Sequence, residues 1–111
     1  MRKSDIKILH FFMTRMSMYV VPVSEKTVVA YLHGYDNGAH GKCGFTDRIR
    51  VKLETKYQIE YRACGWPEQI QRYAEKTNLD WLQAFNVIGG EVLNDESKKA
   101  NKKKSKKATK R

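Results

Sequence analysis

Residues 48–63 read RIRVKLETKYQIEYRA, and this stretch decides the fold that the sequence predicts. Its odd positions, from Ile49 to Ala63, are apolar or aromatic except for Thr55, whereas its even positions carry Lys, Arg, Glu or Gln. Such alternation places one side of an extended chain on a core and the other side in water. The pattern therefore predicts a half-buried β-strand, with a bend, bulge or turn near Thr55 and Lys56 because sixteen residues are long for one strand.

A helical spacing overlaps the same stretch. Apolar residues fall four apart at the positions Phe45, Ile49, Leu53 and Tyr57. A helix with this spacing would bury one face, but it would leave Val51 and Ile59 poorly placed. The strand is the favoured interpretation, and the helix is the alternative.

The segment before this stretch predicts a hairpin. MSMYVVPV (16–23) and TVVAYLHGY (27–35) are rich in Val and Tyr, which favour strands, and they are separated by a short polar segment. Alternatively, Ser24 could cap a helix that runs to Tyr35. The Gly-rich residues 36–44 predict a loop that no regular element crosses.

The segment after this stretch changes to helical spacing. Pro67 suits the first turn of a helix, which is expected to end at Asn78. A second helix would then start with Asp80 as its cap and end at Gly89 and Gly90.

Together these elements predict an α+β fold, in which a small antiparallel sheet (the hairpin and the long strand) packs with two C-terminal helices. An all-α bundle is the alternative. Residues 1–15 are interpreted as an N-terminal extension or a helix capped by Ser4, and residues 16–97 as a single globular domain. Residues 98–111 are expected to form a disordered Lys-rich tail, since this segment has no apolar side chain larger than Ala.

The net charge of +10 is concentrated in that tail. Residues 1–97 hold thirteen Lys or Arg against twelve Asp or Glu, a net +1, whereas residues 98–111 hold nine Lys or Arg and no acid. A segment of this kind predicts a nucleic-acid-binding arm, a solubilising tail or a targeting signal. The tail cations are Lys98, Lys99, Lys102, Lys103, Lys104, Lys106, Lys107, Lys110 and Arg111.

The polar side of the predicted strand is a second candidate surface. Five cations, Arg48, Arg50, Lys52, Lys56 and Arg62, outnumber Glu54 and Glu60 along it. A phosphate backbone could follow such a stripe. The alternative is that Lys and Arg keep an exposed strand soluble and block pairing between sheet edges.

Four residues are weak candidates for a zinc site, namely His33, His40, Cys43 and Cys64. Their spacing matches no standard zinc motif, so no metal site and no cofactor is predicted. The two histidines could also act as general acid and base in a small metal-independent ribonuclease, together with Asp36.

The leading hypothesis is a small non-enzymatic protein that binds nucleic acid non-specifically through its tail and the basic stripe. The first alternative is an inhibitor or immunity-type module that occludes a partner protein, with the tail either serving solubility or contacting an acidic patch of that partner. The second alternative is the ribonuclease. Two cysteines and the lack of an export signal or membrane span predict a cytoplasmic protein.

Overall fold

The structure is a computed structural model, which describes the backbone of residues 1–38 and 43–109 and the side chains of residues 1–38 and 43–100. These residues form α-helices joined by short connections, and they contain no strand. The α-helices are α1 (Lys3–Thr14), α2 (Glu25–Gly38), α3 (Phe45–Thr55), α4 (Trp66–Thr77) and α5 (Trp81–Thr109), with a short 3-10 turn at Met16–Met18. The predicted α+β fold is therefore wrong, and the all-α alternative fits.

The predicted long strand is helix α3 followed by an irregular segment. Phe45, Ile49 and Leu53 are buried at intervals of four, whereas Val51, which a strand would bury beside them, is 48% exposed. Packing against other helices thus favours the helical period over the alternating one. Ile59 is buried after the helix has ended.

The predicted hairpin is also wrong, because its second half is helix α2. Ser24 begins this helix: its Oγ accepts a hydrogen bond from the Thr27 amide at 3.4 Å, and the Ser24 amide donates to Thr27 Oγ1 at 3.0 Å. Since this reciprocal arrangement satisfies amides that have no partner within the helix, the alternative of a helix capped by Ser24 is correct. The helix continues to Gly38, inside the predicted loop.

The signals around α4 and α5 predict the observed structure closely. Pro67 lies in the first turn of α4, and Asn78 ends the helix with a left-handed backbone (φ 61°). Asp80 caps α5, because its Oδ1 accepts a hydrogen bond from the Gln83 amide at 2.8 Å. The predicted end at Gly89 and Gly90 is wrong, since α5 runs through both glycines.

Helix α5 is the centre of the fold, and α1, α3 and α4 pack against it. Gly89 lies where the first two of these helices approach: a Cβ atom there would be 2.8 Å from Met13 Cε of α1 and 3.3 Å from Phe45 Cζ of α3. A side chain at this position would therefore press against residues of both helices. At the other end of the core, Trp81 stacks on Phe85 with their ring centroids 5.3 Å apart.

Helix α1 is anchored by a buried carboxylate. Asp5, only 3% exposed, accepts hydrogen bonds from Tyr35 Oη at 2.5 Å and from Arg2 Nε at 2.8 Å. Burial alone would raise the pKa of Asp5, but these two donors hold it below its usual value. The predicted cap by Ser4 is wrong, because Arg2 occupies the capping position without a side-chain hydrogen bond.

Helix α5 extends into the Lys-rich tail as far as Thr109. The side chains of residues 101–111 lie outside the described residues, so the disorder of residues 98–111 stays a prediction. None of the described helices combines the length and the apolar composition that crossing a membrane requires.

Candidate functional site

The five cations of the predicted stripe do not share one surface. In helix α3 each residue turns by about 100° from the one before, so Arg48 and Lys52 lie on the side that faces α5 while Arg50 points elsewhere. Lys56 follows the end of the helix on the α5 side, and Arg62 lies in the irregular segment beyond it. The structure therefore brings three of the five residues together and separates the other two.

Acidic residues of α5 pair with the three cations on the α5 side. The pairs are Arg48 Nε with Glu96 Oε1 at 3.0 Å, Lys52 Nζ with Asp95 Oδ2, and Lys56 Nζ with Glu91 Oε1 at 3.1 Å. The Lys52 side chain is only 15% exposed, and its hydrogen bond holds the pKa of Asp95 below the usual value. These cations connect α3 to α5, and their charge is locally neutralised.

Tyr57 strengthens the same connection. Its hydroxyl donates to the carboxylate of Glu91, with both oxygens 2.8 Å away. Burial and this carboxylate together raise the pKa of Tyr57 to about 12, so the hydroxyl keeps its proton at neutral pH. A group that remains a donor suits a structural contact between helices.

The remaining two stripe residues also have acidic neighbours. Arg50 Nε lies 4.0 Å from Glu54 Oε1, and its guanidinium carbon is 5.0 Å from the centre of the Tyr61 ring. Arg62 Nε lies 3.2 Å from Glu60 Oε1. Every cation of the predicted stripe therefore has an acidic neighbour within 4.0 Å, and the binding of a phosphate backbone along this stripe stays a prediction.

Helix α1, counted together with Arg15 directly after it, presents the opposite situation. Lys3, Lys7 and Arg15 lie on the surface and have no ion-pair partner among the described residues. The segments outside that description, 39–42 and 101–111, contain no Asp or Glu that could supply a side-chain partner. Arg15 instead lies over an aromatic ring, with its guanidinium carbon 5.7 Å from the centre of Phe11.

The charge of the chain is consequently divided between distinct regions. Residues 1–15 hold four Lys or Arg and one Asp, a net +3, whereas residues 16–97 hold nine Lys or Arg and eleven Asp or Glu, a net −2. The tail adds +9. Because α1 packs against α5, the cationic residues 1–15 lie beside the helix that leads into the cationic tail.

A groove of about 540 Å³ marks the place where these regions meet. We call it the α1–α5 groove. Its walls include Lys3, Lys7, His10 and Phe11 from α1, with Ser97 and Ala100 from α5. The Phe11 side chain is 41% exposed, so the groove combines cations with an accessible aromatic ring.

The structure describes the side chains of the first two tail cations. Lys98 and Lys99 are exposed on α5, and Lys99 Nζ lies 3.4 Å from Glu96 Oε2. The other seven tail cations have side chains outside the described residues. Their role in binding stays a prediction.

The candidate zinc residues do not assemble in the part of the chain that the structure describes. His33 is exposed on α2, with its ring centre 6.3 Å from that of Trp66. Cys43 is buried, which raises the pKa of its thiol, whereas Cys64 is exposed. No group of three or more His, Cys, Asp or Glu in the described residues could hold a metal ion.

The acid and base pair of the ribonuclease hypothesis cannot be placed as a pair. His33 is described, and Asp36 follows it by three residues on α2, but His40 lies outside the described residues. The hypothesis therefore gains no geometric support from the described part of the chain.

The surfaces predicted from the sequence do not include the cations of α1, because residues 1–15 are interpreted there as an extension or a helix outside the globular domain. A separate charge count for this segment, a net +3 against −2 for residues 16–97, is the signal that could have found them.

The chain matches no protein-family model, and neither the curated proteins nor the solved structures include one that is significantly similar to it.

Proposed function

We propose that the protein binds nucleic acid through the Lys-rich tail together with the exposed cations of α1. The observation that carries this proposal is the division of charge: residues 1–15 and 98–111 carry +3 and +9, and everything between them carries −2. A polyanion is attracted to the first two regions and repelled weakly by the third.

The ion pairs support this choice of residues. The cations of α3 that face α5 already have acidic partners, so a phosphate would compete with a carboxylate for their charge. Lys3, Lys7 and Arg15 have no such competitor among the described residues. The helix α1 therefore replaces the basic stripe of residues 48–62 in the proposal.

Binding of this kind is driven mainly by the release of counterions from the phosphates. Lysines on a segment without apolar side chains contact phosphates and do not read base edges, so selectivity for sequence is low. For single strands, each phosphate contact contributes about 0.7 to the slope of log K against log salt concentration.

The experiment compares variants of the full chain that lose equal charge at different places. Lys102→Gln with Lys103→Gln removes two tail cations, and Lys26→Gln with Lys76→Gln removes two exposed cations from α2 and α4. Binding to a fluorescent single-stranded oligonucleotide is measured by anisotropy across a salt series. The tail variant should bind more weakly, with a slope lower by about 1.4, whereas the control should match the parent.

Equal losses in both variants would mean that net charge alone, and not its location, governs binding. Absence of binding by the parent chain at moderate salt would reject the proposal outright.

A second candidate function, the module that occludes a partner protein, is favoured by one observation. The connection between α1 and α2 exposes the apolar side chains of Met18 (75% exposed) and Val21 (85% exposed). A photo-crosslinking residue at Val21 should capture one defined protein in cells, while the same residue at Lys76 should not. Equal capture at both positions would count against this function.

A further inference from the structure

We infer that the α1–α5 groove accepts an unpaired base, so that the preferred ligand is single-stranded nucleic acid. The inference rests on the proposed function, which by itself requires only phosphates. It adds a second kind of contact, between a base and the Phe11 ring.

The placement of Phe11 is the first observation. An aromatic side chain of a small helical protein usually lies in the core, as Phe12 does at 0% exposure, but its neighbour Phe11 is 41% exposed and forms part of the groove wall. An exposed aromatic ring in a positively charged groove provides the stacking surface that proteins use for single strands.

The charges around the ring are the second observation. Lys3 and Lys7 line the same groove on the same face of α1, two turns and one turn before Phe11. Arg15 lies one turn after it, with its guanidinium carbon 5.7 Å from the ring centre. A strand that runs along α1 would thus meet lysines for its phosphates and an aromatic ring, supported by an arginine, for a base.

The size and position of the groove are the third observation. Its volume of about 540 Å³ falls within the range of about 300–1,000 Å³ that is typical of small-ligand sites, which suits a nucleotide. The bases of a duplex are stacked and paired, so they cannot enter a groove of this size without being unpaired. Ser97 and Ala100 form the opposite wall, next to the start of the tail cations.

The test uses the full chain and two ligands of equal length and charge, an oligothymidine strand and an abasic sugar–phosphate strand. The parent protein should bind the strand with bases about 10-fold more tightly, which is the usual effect of one stacked base. Phe11→Leu keeps an apolar side chain but removes the ring, so this variant should bind both strands equally and as tightly as the parent binds the abasic strand.

A matched control is Tyr61→Leu. Tyr61 is also an exposed aromatic residue (48%) beneath an arginine, since the guanidinium carbon of Arg50 lies 5.0 Å from its ring centre, but it lies outside the groove. Tyr61→Leu should keep the roughly 10-fold preference of the parent. Equal melting temperatures of the two variants and the parent would show that folding is unaffected.

The outcomes separate the two proposals. If the parent binds both strands equally and with a strong salt dependence, the base-stacking inference is wrong and the electrostatic proposal stands. If the preference disappears in Tyr61→Leu but persists in Phe11→Leu, the inference is wrong as well. If neither strand binds, the proposed function fails, and the inference fails with it.

Discussion

Helices α1 and α3 both pack against α5 and both carry basic residues, but these cations have different surroundings. Those of α3 that face the central helix meet Glu91, Asp95 and Glu96. Those of α1 have no acidic partner among the described residues. A count of basic residues therefore says little about a binding surface until the acidic residues of neighbouring helices are included.

The largest loss of stability is expected from a substitution on the side of α3 that faces the core. Leu53→Ala removes a fully buried side chain and should lower the free energy of unfolding by about 2–5 kcal/mol. Val51→Ala changes a side chain that is 48% exposed, so its effect should stay within about 0.5 kcal/mol. Urea unfolding of both variants provides the measurement. Similar large losses of stability in both variants would indicate that residues 51 and 53 share one buried side, as in a strand. The comparison of α3 with α1 as two helices would then not hold.

A smaller effect is expected at the anchor of α1. Asp5→Asn removes the charge that accepts hydrogen bonds from Tyr35 and Arg2, and it should cost about 1–3 kcal/mol at pH 7. The folded protein holds the pKa of Asp5 below the unfolded value of 3.8, so this stability is present above pH 3.8 and is lost as the pH falls through the folded pKa.

Urea unfolding at neutral pH and at a pH below the folded pKa of Asp5 checks this expectation. The difference between Asp5→Asn and the parent should shrink at the lower pH, because the parent then protonates Asp5 as well. A difference that is equally large at both pH values would show that shape and not charge makes this contact important.

The weakest stability effects concern the place where α1 and α3 meet α5. Gly90→Ala adds a methyl group in open space and should stabilise the protein by about 1 kcal/mol through helix propensity. Gly89→Ala should be less favourable than Gly90→Ala by about 1–3 kcal/mol, since its methyl group would press against the Phe45 ring and the end of the Met13 side chain and overpacking has a cost of this size. The melting temperature of Gly90→Ala should therefore be clearly higher than that of Gly89→Ala. Equal stabilisation by both changes would mean that the two helices can move apart at no cost.

Local signals in the sequence predict part of this fold well. Pro67, Asn78 and Asp80 act through contacts within a few residues, so their roles follow from the sequence alone. The error at residues 48–63 has a physical origin: positions four apart lie on one face of a helix and also on one side of a strand. Phe45, Ile49 and Leu53 therefore fit both the helical and the alternating period. The exposure of Val51 distinguishes the two periods, but it depends on packing between helices that cannot be read from the sequence.

The candidate site was less predictable for a similar reason. The Lys52–Asp95 contact joins residues that are 43 positions apart, so the acidic neighbours of the basic stripe become visible only when α3 and α5 are seen together. The segregation of charge in residues 1–15, by contrast, can be counted in the sequence. What the sequence lacks is the packing of α1 beside the helix that leads into the tail.

The lysines of α1 and α3, compared in the full chain, provide the most direct test of where polyanions bind. Lys3→Gln with Lys7→Gln and Lys52→Gln with Lys56→Gln each remove two charges, and binding to a single-stranded oligonucleotide is measured across a salt series. We expect the α1 variant to lose affinity and about 1.4 from the slope of log K against log salt concentration, while the α3 variant keeps both. A greater loss in the α3 variant, with its fold intact, would contradict the claim that ion pairs with α5 remove the α3 cations from the binding surface.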